Sequence, residues 1–151
     1  MENVITFDTG VREFNILGVV TVSFCPTDIN FAESIFQALE DIGDYYTDYQ
    51  TRAAKIAENP DDSAVNKDFF ELGLEADNTI REKINSLFGK DICTPTIGKG
   101  SIISPAGGFP IWANILFMLI DLFDDEVIKE KEKTNPRIKK YTEKYRRSAK
   151  K

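Results

Sequence analysis

The amino-acid sequence predicts an α+β fold: an N-terminal three-stranded β-meander packed on a long αα-hairpin, then a third, apolar helix and a short basic C-terminal helix or tail. Three observations lead there. Short β-prone runs separated by glycines fill the N-terminal region, two long segments carry helical apolar periodicity across a polar break, and residues 109–123 are apolar almost all round.

The strands come first. Val4, Ile5, Thr6 and Phe7 precede the turn signal Asp8, Thr9, Gly10; residues 11–16 and 19–24 follow, parted at Leu17 and Gly18. β-Branched and aromatic residues favour strands, and glycine turns at this spacing predict a meander. Three strands alone are marginal, so the meander is expected to pack against helices. Pro26, Thr27 and Asp28 end the sheet and open a helix, with Asn30 and Glu33 as a second capping signal.

That helix carries apolar or aromatic residues at Ile35, Leu39, Ile42, Tyr46, Tyr49, Ala53 and Ile56. Steps alternating four and three make a coiled-coil-like seam. Asn59, Pro60, Asp61 and Asp62 break the chain, and Ser63 or an Asp caps the next helix. Its apolar side holds Val65, Phe69, Leu72, Ala76, Ile80, Ile84 and Leu87, and Gly89 stops it. The pair predicts an antiparallel αα-hairpin. Residues 90–108, rich in Gly, Pro, Ser and Thr, read as a long connection with room for a short strand. Pro110 suits the first turn of a third helix running to about Lys133. Asn135 and Pro136 interrupt it, and residues 137–147 form a short basic helix or a disordered tail. The expected organisation is a single α+β domain over residues 1–133 and a basic C-terminal helix or flexible tail over 134–151.

A chain of 151 residues with 42% hydrophobic and 29% charged side chains, eleven of them Phe, has enough apolar material for one domain core. The net charge of −6 is unevenly spread. Residues 129–151 hold eleven Lys and Arg against three Glu, a net +8, which leaves −14 for residues 1–128. An acidic body with a basic tail points to steering or self-association before nucleic acid. Cys25 and Cys93 form no cluster, which suits a reducing compartment. The start MENVITFDTG lacks a basic region followed by an apolar run, so no signal peptide is expected. Residues 109–123 fall short of the roughly 20 residues that cross a bilayer and include Asn114 and Asp121, so no membrane partner is expected.

No histidine is present, which removes the usual general base and the commonest metal ligand. Asp41, Asp44 and Asp48 share a helix face, and Asp124, Asp125 and Glu126 form a second cluster; solvated helix faces are the simpler reading of both. Gly98, Lys99, Gly100 and Ser101 look faintly like a phosphate loop but have the wrong order and spacing. Neither cysteine has a CxxC partner or a histidine to activate it. The expectation is no enzyme, no catalytic residue, no metal and no cofactor.

Interaction is better encoded than chemistry. In the third helix, Trp112 belongs to a broad apolar arc, while Phe117 and Met118 sit between the polar residues Asn114, Asp121 and Asp125. A helix this apolar is either a central core helix or one with a second buried interface. On the second reading Phe117 and Met118 meet another subunit or an apolar client. In the basic tail, Tyr141 and Tyr145 with Ile138 make a weak apolar side. Trp112, Phe117, Met118, Tyr141 and Tyr145 are the candidate partner-binding residues.

The opening FDTGVREFNILG, the junction SFCPTD, the segment SLFGKDIC, the run GFPIWAN and NPRIKKYTEKY near the end occur in an order that resembles the tail assembly chaperone-like proteins of siphophages and prophages of Firmicutes. The resemblance spans nearly the whole chain. It implies a protein of the infected cell's cytoplasm, generally absent from the finished virion. Such a protein binds the long tape measure protein, keeps it soluble and helps the tail tube protein polymerise. Apart from the resemblance, the seam from Ile35 to Ile56 is able to build a homo-oligomer, although pairing with the second helix is its simpler use. No family motif assigns client-binding residues. The family often makes a second, frameshifted form, and the closing Ala149, Lys150 and Lys151 are compatible with a slippery run. Two alternatives stand beside this one: a structural tail or neck component of the virion, and a nucleic-acid-binding regulator acting through the basic tail.

Overall fold

The computed structural model describes residues 1–58, 63–133 and 136–149. The predicted breaks at Asn59 to Asp62 and at Asn135, the side chains of Ser63 and Val65, and the closing Lys150 and Lys151 lie outside the described residues. The architecture is α+β. A two-stranded antiparallel hairpin, β1 (Arg12–Ile16) and β2 (Val20–Phe24), precedes the long helices α1 (Ile29–Ala57) and α2 (Ser63–Phe88). A short helix α3 (Cys93–Ile97) and a small ribbon of β3 (Pro105–Ala106) and β4 (Phe109–Pro110) lead into α4 (Ile111–Glu132) and α5 (Arg137–Ala149).

The expected three-stranded meander is corrected to a two-stranded hairpin. Val4, Ile5 and Phe7 lie outside any strand, 81–89% exposed. The turn signal at Asp8 is real but serves its own backbone. Gly10 N–H donates to Asp8 Oδ1 at 2.8 Å and Val11 N–H to Thr9 Oγ1 at 3.4 Å, local bonds that compete with strand pairing. Gly10, at φ +76°, lies against Cys25, and a Cβ there would stand 2.9 Å from its sulfur. Arg12 then ties β1 to α4 instead of to a third strand, donating to Glu126 at 2.9 Å and to Glu130 at 3.1 Å.

Asp28 is the N-cap of α1, its carboxylate accepting from Asn30 N–H at 3.0 Å. The α1–α2 hairpin buries the middle of its predicted stripes, Ile35 and Ile42 of α1 and Leu72, Ala76, Ile80 and Ile84 of α2, while Phe69 of the α2 stripe is 37% exposed. Phe14, Phe24 and Phe31 stack in series at centroid distances of 4.7 Å and 4.7 Å, closing the hairpin over the helices. Ile92, Ile102, Leu116 and Leu119 complete the core. Each side chain so buried contributes about 1.5–3 kcal/mol.

The connection between α2 and α4 is held by polar side chains of α2. Asp77 accepts from Ile102 N–H at 2.7 Å and from Arg81 at 3.1 Å. Arg81 also donates to the carbonyls of Gly98 and Gly100. One turn on, Asn85 accepts from Ile92 and Cys93 N–H at 2.9 and 3.1 Å, capping α3. Gly107 and Gly108, at φ +66° and +89°, supply the tight turn of the β3–β4 ribbon, so the short strand expected there is a pair.

Candidate interaction groove

α4 buries one face and leaves another half open. Trp112, Ala113, Leu116, Leu119 and Glu126 face the interior. Ile111, Asn114, Ile115, Met118, Asp121, Leu122 and Asp125 recur at i, i+3, i+4, i+7, i+10, i+11 and i+14, one continuous stripe along the helix. This stripe is one wall of a groove. The β1–β2 hairpin and α3 form the other.

The groove comprises two cavities that meet at Ile16, Leu17 and Met118. One, about 600 Å³, lies between the hairpin and the C-terminal half of the stripe, with Phe14, Phe24, Phe88 and Leu122 in its walls and Asp121 and Asp125 at its edge. The other, about 520 Å³, lies between Leu17, α3 and the N-terminal half, lined by Ile92, Ile97, Ile111 and Ile115. Asn114 is the polar residue on α4 in this second half, and its amide donates to Ala106 O at 2.9 Å.

Leu17 stands where the two halves meet, in the hairpin turn closed by Val19 N–H donating to Ile16 O at 3.1 Å. Its φ is +54°, and no other non-glycine residue among those described has a positive φ. The side chain is 78% exposed. Such a turn position favours Asn, Asp or Gly, and a leucine there costs about 1–2 kcal/mol of backbone strain. Strain of this kind concentrates at contact and functional sites. Lys90, just past α2, donates from its ammonium to Thr21 O at 2.7 Å, and Arg12 pairs with Glu126 of α4, so the hairpin is tied to the helices near both ends.

The candidate residues are dispersed. Trp112 is in the core, 5% exposed, edge-on to Tyr46 at 5.5 Å, its indole N–H buried without an acceptor among the described residues. Phe117 is half-buried and covered by Phe109 at 5.3 Å, off the groove. Met118 is 40% exposed at the groove's centre. Tyr141 and Tyr145 lie on α5, both exposed, with Arg137 5.9 Å and Lys144 6.0 Å from their respective ring centres. Ile111, Ile115 and Leu122 belong to the apolar arc that helical periodicity gives, whereas Leu17, on the hairpin, lies outside what periodicity on a single helix can single out. The available signal was a leucine before Gly18, where a hairpin turn favours Asn-Gly.

Glu126, expected on a solvated face, is 8% exposed and paired with Arg12 and with Lys129 at 3.4 Å. Burial pushes the Cys93 thiol up to about 11, which keeps it protonated. Desolvation, then the neighbouring Tyr46, raises the Tyr49 phenol. No group of three or more His, Cys, Asp or Glu that could hold a metal ion occurs among the described residues. No helix among them is long and apolar enough to cross a membrane. No protein-family model, no curated protein and no solved structure matches the chain.

Proposed function

We propose that this chain is a non-enzymatic assembly chaperone of a phage tail, which takes an amphipathic helical segment of the tape measure protein into the groove beside α4 and keeps that client soluble. The observation that carries the reading is the apolar groove itself, with Leu17 strained and exposed at its centre. Helix-in-groove recognition uses anchors at i, i+3, i+4 and i+7, the spacing that the α4 stripe presents from its own side. Met118 adds a side chain that adapts to varied partners. The resemblance of the motifs along the chain to tail assembly chaperone-like proteins supplies the kind of client; the groove supplies the means of holding it.

The test is co-expression with the tape measure protein of the same genome. The client remains soluble with the wild-type chain and sediments without it. Met118→Asp, at a 40% exposed position where the fold tolerates a charge, lowers the soluble fraction several-fold while leaving the helical circular dichroism intact. A client that is equally insoluble with and without the wild-type chain overturns the proposal. Mass spectrometry of purified particles separates this reading from a structural tail or neck component, since a chaperone is nearly absent from them.

A further inference from the structure

We infer that the groove beside α4 has a second occupant built into this protein: the basic helix α5 of another copy. α5 presents Ile138, Tyr141 and Tyr145 at i, i+3 and i+7 on one side, and these are 78%, 49% and 68% exposed. A helix with such an apolar row and no core to cover it has an unmet partner. The groove is the complementary surface. It is apolar along its length and acidic at one end through Asp121 and Asp125, while α5 bears Lys139, Lys140 and Arg146, all exposed. The same complementarity holds for the whole chain, net +8 over residues 129–151 and −14 over the rest.

The dimensions agree. From Ile111 to Asp125 the stripe rises about 21 Å, and the thirteen residues of α5 span about 20 Å. Geometry also decides between the chain's own α5 and a neighbour's. Only residues 133–136 separate α4 from α5 in the sequence. If α5 turned back along its own α4, with Arg137 opposite Lys133, its thirteen residues would reach to about residue 121. The half of the groove at Leu17, Ile111 and Ile115 would stay open. A neighbour's α5 has no such tether and covers the full length. The contact pairs two different surfaces, so it is heterologous: each copy gives a helix and receives one, generating a ring or an open chain. It rests on the groove being a helix-binding site, not on the identity of the client, and it makes α5 a competitor that the client displaces.

Sedimentation velocity of the full chain over a range of concentrations tests it. The wild type associates, and raising NaCl from about 0.05 M to about 0.5 M weakens the association. Tyr141→Asp/Tyr145→Asp, which spoils the donated helix, and Met118→Asp, which spoils the groove, each reduce it about tenfold or more. Both change exposed positions, and circular dichroism verifies the fold. The deciding experiment mixes the two defective proteins. Each retains one good half of the contact, so together they form a 1:1 heterodimer that grows no further. Two monomers in the mixture, a monomeric wild type, or association unchanged by the α5 substitutions each overturn the inference. Loss of RNA or DNA retention in the α5 variant with association unchanged assigns α5 to nucleic acid instead. The client-solubility assay is read separately, so failure of the self-contact and failure of the chaperone reading are distinguishable.

Discussion

Leu17 carries backbone strain that an asparagine or glycine in the same turn would avoid, and its side chain is 78% exposed, so little core packing repays that cost. Leu17→Asn therefore raises the stability of the monomer by up to about 1 kcal/mol, read as a higher midpoint in thermal or urea unfolding. The same change strips the groove's centre of its apolar side chain, so client retention and self-association fall. A lower midpoint would make Leu17 a packing residue and remove its functional role. Cys93 gives a second test at this scale. Its buried thiol, held protonated by a value pushed up to about 11, stays unreacted toward a thiol reagent at pH 8 until the protein unfolds, whereas half-exposed Cys25 is accessible in the native state. Asp91 gives a third. Hydrogen bonds from Thr94, then from Asn85 and the Cys93 backbone, hold its carboxyl below its ordinary 3.8. Its folded value being the lower one, its stabilisation is complete above the unfolded value and is lost as pH falls through 3.8 toward the folded value. Asp91→Asn flattens the acid limb of the stability curve in that window.

Among the elements, those whose period alone defines a buried face were legible in the sequence, and those defined by long-range polar contacts were not. The α1 and α2 stripes name the residues that bury, Ile35 and Ile42 against Ile80 and Ile84, because a helix with one apolar side has one way to lie. The third strand failed because local propensity at Val4 to Phe7 says nothing about whether a neighbouring edge is free, and Arg12 commits β1 to α4. The line Asp77, Arg81, Asn85 was not read from the sequence, because its role depends on carbonyls and amides in the connection beyond the helix, 7 to 25 residues away. Removing it has a definite consequence. Arg81→Ala leaves Asp77 mostly buried with the Ile102 N–H but without its cation, at a cost of about 1–3 kcal/mol. Because the side chain holds the loop at Gly98 and Gly100, hydrogen exchange quickens first in residues 98–103, before α1 or α2. Uniform acceleration along the chain would deny Arg81 that local role. In α1, Gly43 has nothing within 4 Å of where a Cβ would stand, so Gly43→Ala stabilises by about 0.5–1 kcal/mol in the same unfolding assay.

At the scale of the whole molecule, charge is segregated rather than balanced: the described part of the basic end, residues 129–133 and 136–146, is exposed, while the acidic body encloses the core. α4 belongs to the core on one face and leaves an adjacent face open beside the hairpin. Two readings of α4 stood open, a core helix or one with a second buried interface; its Trp112, Leu116 and Leu119 face is core, and the adjacent Ile115, Met118 and Leu122 face lines the groove. If residues 1–133 are an independent folding unit and α5 serves only contacts outside it, a chain ending at residue 133 retains the fold. It melts in one transition within about 0.5 kcal/mol of the full chain when both are compared at concentrations low enough to be monomeric. At higher concentration the two diverge. The full chain's midpoint climbs with concentration as each copy's helix fills a neighbour's groove, and the shortened chain's midpoint does not move. A shortened chain that melts well below the full one even when dilute would mean that α5 stabilises its own body, and the division of labour between an acidic receiving body and a basic donating helix would fall with it.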